Sequence, residues 1–219
     1  MPSVTPRYIL PFALLLAFLA LHSVWPLPPS IDYPARDVVV GGVLLFYSWP
    51  VIQWRPRAAL ASLGIGALVF AIWIGPDLLF PHYRQHWLFQ NPVTGVSRSI
   101  PDSALHNRWL LFFRVVRAVV VVPIAEELFW RAWLMRWLIS PDFESIPLGT
   151  YAAGAFWIVA LLFASEHGPF WDVGLAAGII YNWWMIRTKS LADCILAHAV
   201  TNGLLCAWVI ATQSWQYWL

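Results

Sequence analysis

The stretch from Val119 to Ile139 reads VVVVPIAEELFWRAWLMRWLI, and how it houses its charges decides the fold. About 20 mostly apolar residues make a helix long enough to cross a bilayer, yet Glu126, Glu127 and Arg131 sit inside this one. An ionisable side chain at membrane depth costs about 2.5–3.5 kcal/mol on insertion scales. Three such groups in so short a stretch therefore face a protein interior or a wet cavity, not lipid. Glu127 and Arg131 are four residues apart with the acid on the N-terminal side, the favoured order for a helical ion pair. Glu126 lies about 100° round the helix and is left for other work. Pro123 has no N–H, so the Val119 carbonyl loses its partner; the sequence predicts a kink that opens space beside Glu126.

Outward from this stretch the chain keeps the same character. Of its 219 residues, 60% are hydrophobic and 11% charged, whereas soluble domains carry about 25% charged residues. The expectation is an all-α, polytopic membrane helix bundle, with residues 1–219 forming a single membrane domain. Candidate spans are 8–26, 38–54, 58–80, 110–138, 148–167, 171–187 and 190–212, which makes seven. A short helix within 81–108 would make eight. Residues 1–80 hold three spans without motifs, 81–108 form a connecting loop, and 109–212 carry the polar clusters. Arg114 and Arg117 place the first turns of the fourth span at the interface, with Asp102 or Ser103 as its cap. The first apolar run lacks a small-residue cleavage site after it and reads as a retained span.

Sixteen Trp, many at span ends, form an aromatic belt. A net charge of +2 without any basic run argues against nucleic acid; the expected partner is the lipid bilayer. Cys194 and Cys206 fall on one helix roughly 18 Å apart, too far for a disulfide. Charge counting across the loops nearly ties, and short loops tip the N-terminus to the cytoplasm.

Three further polar clusters interrupt the spans. Phe163 to Pro169 reads FASEHGP; Gly168 and Pro169 stop the helix directly after His167. In the last span, His198 and Asn202 are four residues apart and point the same way. Tyr181 and Asn182 lie on a helix whose Gly174 and Gly178 suit close packing, and they read as helix–helix glue. Asp193 and Cys194 read as interfacial, and Glu166 as a solvated span end. A lone intramembrane His or Asn is often structural. Glu126, His167, His198 and Asn202 taken together, on three helices, point instead to a site where a Glu beside a His activates water.

The ordered set EELFWR, FASEH and HAVTN resembles the EExxxR, FxxxH and HxxxN motifs of the CAAX-protease and bacteriocin-processing family of intramembrane endoproteases. The resemblance covers roughly residues 110–212. The short chain, the Trp-rich tail and the FASEHG stretch are similar to the bacterial subgroup associated with exosortase sorting systems. The resemblance implies an intramembrane endopeptidase, integral to a bacterial inner membrane, that cuts a membrane-embedded or membrane-anchored protein. It implies Glu126 as general base on a water shared with His167, and His198 and Asn202 as donors to the oxyanion. Glu127 and Arg131 would hold the motif helix in register or contact substrate. No cofactor is expected. Zinc on Glu126, His167 and His198 is the alternative, against which stands the absence of an HExxH pair. A proton-coupled transporter and an inactive membrane scaffold are the rival readings. The first calls for acids along a path, and spans one to three hold almost none.

Overall fold

The computed structural model describes residues 4–92, 94, 105 and 107–218. Every regular element among them is helical. The long rods are α1 (Thr5–Val24), α2 (Pro29–Val43), α3 (Ala59–Leu79), a composite α4 over 108–137, α5 (Ala153–Ser165), α6 (Trp171–Thr188) and α7 (Leu191–Thr212). The sequence predicts seven crossings; among the described residues α1, α3 and α7 are long and apolar enough by length and composition to cross a membrane, and the other rods fall short by that measure. The physical reasons differ from rod to rod. The thirteen residues of α5 reach roughly 20 Å, short of a hydrocarbon core of about 30 Å. Charges interrupt α2 and α4, and α6 opens on Asp172 and closes on Arg187.

The second helix also starts earlier than its predicted span at 38. Proline suits the first helical position, and Pro29 begins α2 there. Two charges ahead of residue 38 are buried as a pair: Arg36 reaches back four residues to Asp32 at 2.7 Å. For α4, the predicted caps Asp102 and Ser103 lie outside the described residues. The cap observed is Asn107, whose Oδ1 accepts from the N–H groups of Trp109 and Leu110 at 3.0 and 3.3 Å. Within 81–108, the described residues include a single turn of 3₁₀ helix, Tyr83–Gln85.

Small residues set how closely the rods approach. A Cβ on Gly66 of α3 would meet the Ala197 carbonyl oxygen at 2.5 Å and Val200 Cβ at 2.7 Å on α7. Thr201 uses that proximity, donating its hydroxyl to the Gly66 carbonyl at 2.9 Å. A Cβ on Gly178 of α6 would lie 3.2 Å from the Ala160 backbone on α5, so the predicted small-residue stripe is a helix contact. Asp193, read as interfacial, is fully buried. Its carboxylate accepts from the N–H groups of Arg57 and Ala58 and from the Ser62 hydroxyl at 2.6–2.9 Å, capping α3 from the first turn of α7. The α3–α7 pair is thereby pinned at one end by a cap and in the middle by a glycine contact, and α7 carries the HAVTN motif on that fixed frame. Cys194 and Cys206 are free and buried.

Candidate active site

The helix that carries EELFWR is not uniformly α-helical. It runs as α-helix Arg108–Val116, π-helix Arg117–Val121, α-helix Val122–Glu127, π-helix Leu128–Leu134 and α-helix Met135–Trp137. The first π segment answers the proline. The Val122 N–H bonds to the Arg117 carbonyl five residues back. Continued in that register, the next donor would serve Ala118, but the next residue is Pro123 and has none. Asn202 of α7 supplies the missing donor: its Nδ2 bonds the Ala118 carbonyl at 2.8 Å. The predicted disturbance at Pro123 is therefore present as a π turn. The carbonyl left for another helix to satisfy is Ala118, one residue before the Val119 expected. π turns inside α-helices concentrate at functional sites, and here two of them bracket the paired glutamates.

Those two neighbours face different surroundings. Glu127 is sealed with no exposed surface. Its Oε1 accepts from Arg131 Nη1 at 3.0 Å and faces His198 Nδ1 at 2.8 Å. Arg131, equally sealed, also donates from Nε to Asn182 Oδ1 at 3.1 Å. Its guanidinium carbon lies 4.5 Å from the Phe163 ring centroid and 5.4 Å from that of Tyr181. Asn182 passes the chain on, donating to the Phe156 carbonyl at 2.8 Å, while the Tyr181 hydroxyl donates to Thr201 at 2.7 Å. The Tyr181–Asn182 cluster is glue, as its sequence context predicts. Arg131 and Glu127 brace the helix, and neither reaches a surface where substrate could touch it.

Glu126 faces a cavity of about 590 Å³. His167, Asn202 and Glu166 line the same cavity, and one wall is built from Phe12, Leu15 and other apolar residues of α1. The Glu126 Oε2 atom is buried and has no hydrogen-bond partner among the described residues. His167 is fixed by its Nδ1, which lies 2.7 Å from the Phe163 carbonyl. A carbonyl only accepts, so Nδ1 carries the hydrogen and Nε2 keeps its lone pair. Its ring is held by Phe163 at 4.7 Å and Trp73 at 5.2 Å between centroids. A Cβ on Gly174 would come within 3.1 Å of the His167 side chain, so α6 presses on it with bare backbone.

The four residues singled out in the sequence thus reach the site by two routes. Glu126, His167 and Asn202 share the cavity wall. His198 is attached through Glu127, stacked on Tyr181 with centroids 5.1 Å apart. No sequence signal marks α1 as the apolar wall, because its leucines and phenylalanines look like those of any span. Nor did it assign a part to Phe163, whose carbonyl orients His167 and whose ring covers Arg131. Among the described residues no group of three or more His, Cys, Asp or Glu side chains is placed to hold a metal ion.

Comparison with known proteins adds one match. Residues 108–204 match the family model described as type II CAAX prenyl endopeptidase Rce1-like. No curated protein and no solved structure matches the chain. The matched segment holds EELFWR, FASEH and HAVTN in full.

Proposed function

We propose, from the match of residues 108–204 to the Rce1-like, type II CAAX prenyl endopeptidase family model, an integral membrane endopeptidase with a glutamate-activated water. The observation that carries the reading is the Glu126 carboxylate, unpartnered at Oε2, on the wall of a cavity it shares with His167 and Asn202. The substrate is a membrane-anchored protein whose backbone enters this cavity. Water sits between Glu126 and the free Nε2 of His167, which accepts one hydrogen and so orients the oxygen. Glu126 takes the other proton as the oxygen adds to the scissile carbonyl carbon. The resulting oxyanion accepts from the second Nδ2 hydrogen of Asn202, the first being held by Ala118. His198, held by the contact of its Nδ1 with Glu127 Oε1 at 2.8 Å, completes the oxyanion site. Collapse breaks the C–N bond, and Glu126 returns its proton to the leaving amine.

The proposal includes operation without a resident metal and a place in the bacterial inner membrane. The narrower likeness to the exosortase-associated subgroup, carried by FASEHG and the short chain, belongs to the same reading. The test is release of the cleaved end from a membrane-anchored substrate by wild type and Glu126→Gln in vesicles, with elemental analysis of the purified protein. We expect cleavage by wild type, none by Glu126→Gln, and no stoichiometric metal. Equal cleavage by the two proteins eliminates the glutamate mechanism.

A further inference from the structure

The proposed mechanism uses one end of the cavity. The other end is lined by Arg36, Arg114 and Arg117. Along α4 the cavity is met by Arg114, Arg117, Ala118, Val122 and Glu126, steps of three, one, four and four that keep one helical face. At about 1.5 Å per residue, Arg117 lies roughly 13 Å from Glu126 along the axis. Between the two ends runs the apolar wall of α1.

The carboxylates nearest these arginines do not line the cavity. Asp32 holds Arg36 at 2.7 Å. Asp37 approaches Arg117 no closer than 3.6 Å, beyond hydrogen-bond reach. Both Asp37 oxygens and Arg117 Nη1 are buried without a hydrogen-bond partner among the described residues, although Arg117 is only 8% exposed. Its guanidinium carbon lies 4.8 Å from the Tyr33 ring centroid, and Arg114 stacks on Trp218 at 5.2 Å. A buried guanidinium nitrogen whose nearby anion stands off at 3.6 Å, with no hydrogen bond made, is costly. Arginine's planar fork, braced against an aromatic ring, suits a carboxylate or phosphate.

We infer that the arginine end of the catalytic cavity is an oxyanion subsite, which holds the anionic end of a substrate whose apolar chain lies along α1. The inference rests on the cleavage reading for the word substrate, but its binding chemistry does not depend on hydrolysis. The oxyanion has two sources, the terminal carboxylate of a polypeptide or the phosphate of an anionic lipid.

The experiment uses the full chain carrying Glu126→Gln, so that nothing turns over, in phosphatidylcholine nanodiscs. The probes are lauroyl-tetra-alanine with a free carboxylate, the same peptide amidated, and phosphatidylglycerol added to the bilayer. The free acid should bind about 10- to 100-fold more tightly than the amide, as expected for losing a charge-assisted hydrogen bond. Arg117→Gln should erase that preference. Because that change strands Asp37, the double variant Arg117→Gln with Asp37→Asn repeats the measurement in a protein with no unpaired carboxylate. Arg117→Lys should keep part of the preference. If phosphatidylglycerol displaces the free acid in the parent but not in the double variant, the subsite stands with lipid as the source. Equal binding of acid and amide without lipid competition overturns it, as does a preference unchanged in the double variant. A protein that discriminates acid from amide yet never cleaves a substrate would sink the hydrolytic reading and leave the subsite.

Discussion

Glu126 and Glu127 are adjacent in the chain and opposite in circumstance. One side of α4 carries Glu126 to a cavity; the Oε2 atoms of both glutamates lack a hydrogen-bond partner among the described residues, but only that of Glu126 belongs to a residue on the cavity wall. The other side carries Glu127 into a sealed network of Arg131, Asn182 and His198. The contrast teaches that an intramembrane charge can be kept for two reasons in one motif. Glu126 lines a cavity, whereas Glu127 is paired with a cation and a histidine. The π turns on either side of the two glutamates set which way each one faces.

The largest expected effect tests the cavity side. Glu126→Gln keeps the shape and removes the base, so cleavage should fall by about 10²–10⁴-fold. The midpoint of thermal unfolding should stay close to wild type, since Glu126 Oε2 has no hydrogen-bond partner among the described residues. A midpoint that falls with activity would place Glu126 in the scaffold with Glu127 and collapse the contrast.

The sealed side should behave in reverse. Arg131→Ala leaves Glu127 buried with only His198, and breaking a buried pair costs about 3–5 kcal/mol. Folded yield and thermal midpoint should drop sharply. Glu127→Gln with Arg131→Gln removes both charges and should recover most of the stability, but not the activity, because His198 has lost its carboxylate. A double variant as unstable as Arg131→Ala would mean that Arg131 serves Asn182 and the aromatic rings, not the ion pair.

Much of this division was legible in the spacing. The four-residue step from Glu127 to Arg131 gave the ion pair, and the step from His198 to Asn202 placed both on one face of α7. Gly174 and Gly178 announced a close contact, and Tyr181 and Asn182 announced glue. What spacing could not carry is the partner on another helix. Nothing local says that Glu127 and not Glu126 meets His198, because that depends on the rotation of α4 through its π turns. Nothing local says that Asp193 caps α3, since the capped N–H groups lie 135 and 136 residues away in the chain. The early start of α2 is a different case, because Asp32 and Arg36 pair across four residues of one helix, a spacing the sequence does carry. The seven-span expectation rests on apolar runs, and among the described residues length and composition bear it out for three rods.

A smaller effect tests whether the two sides share a support. Gly174 lets α6 press against His167, and a Cβ there would meet the histidine at 3.1 Å. Gly174→Ala should displace His167 slightly and lower the cleavage rate by roughly tenfold, with a stability change of about 1 kcal/mol, at the low end for an overpacked contact. Substrate binding to the Glu126→Gln background should not change. A loss of binding equal to the loss of rate would move His167 from water activation to substrate contact.

The last prediction concerns the residue that belongs to both sides. Asn202 donates to Ala118 and also lines the cavity, so Asn202→Ala should cost rate and stability together. The rate loss expected for one oxyanion donor is about 10²–10³-fold. The stability loss is that of an orphaned carbonyl, about 1–3 kcal/mol. Pro123→Ala separates the two, because an alanine supplies the N–H that the helix lacks at that point. In that background the Ala118 carbonyl has a donor from its own helix, so Asn202→Ala should lose most of its stability cost and keep its rate cost. A double-mutant cycle on thermal unfolding should therefore return a coupling of about 1 kcal/mol between residues 123 and 202. If the cycle returns none, the Asn202 bond to Ala118 is not the repair of the proline's missing donor, and Asn202 is held in place by the packing of α7 alone.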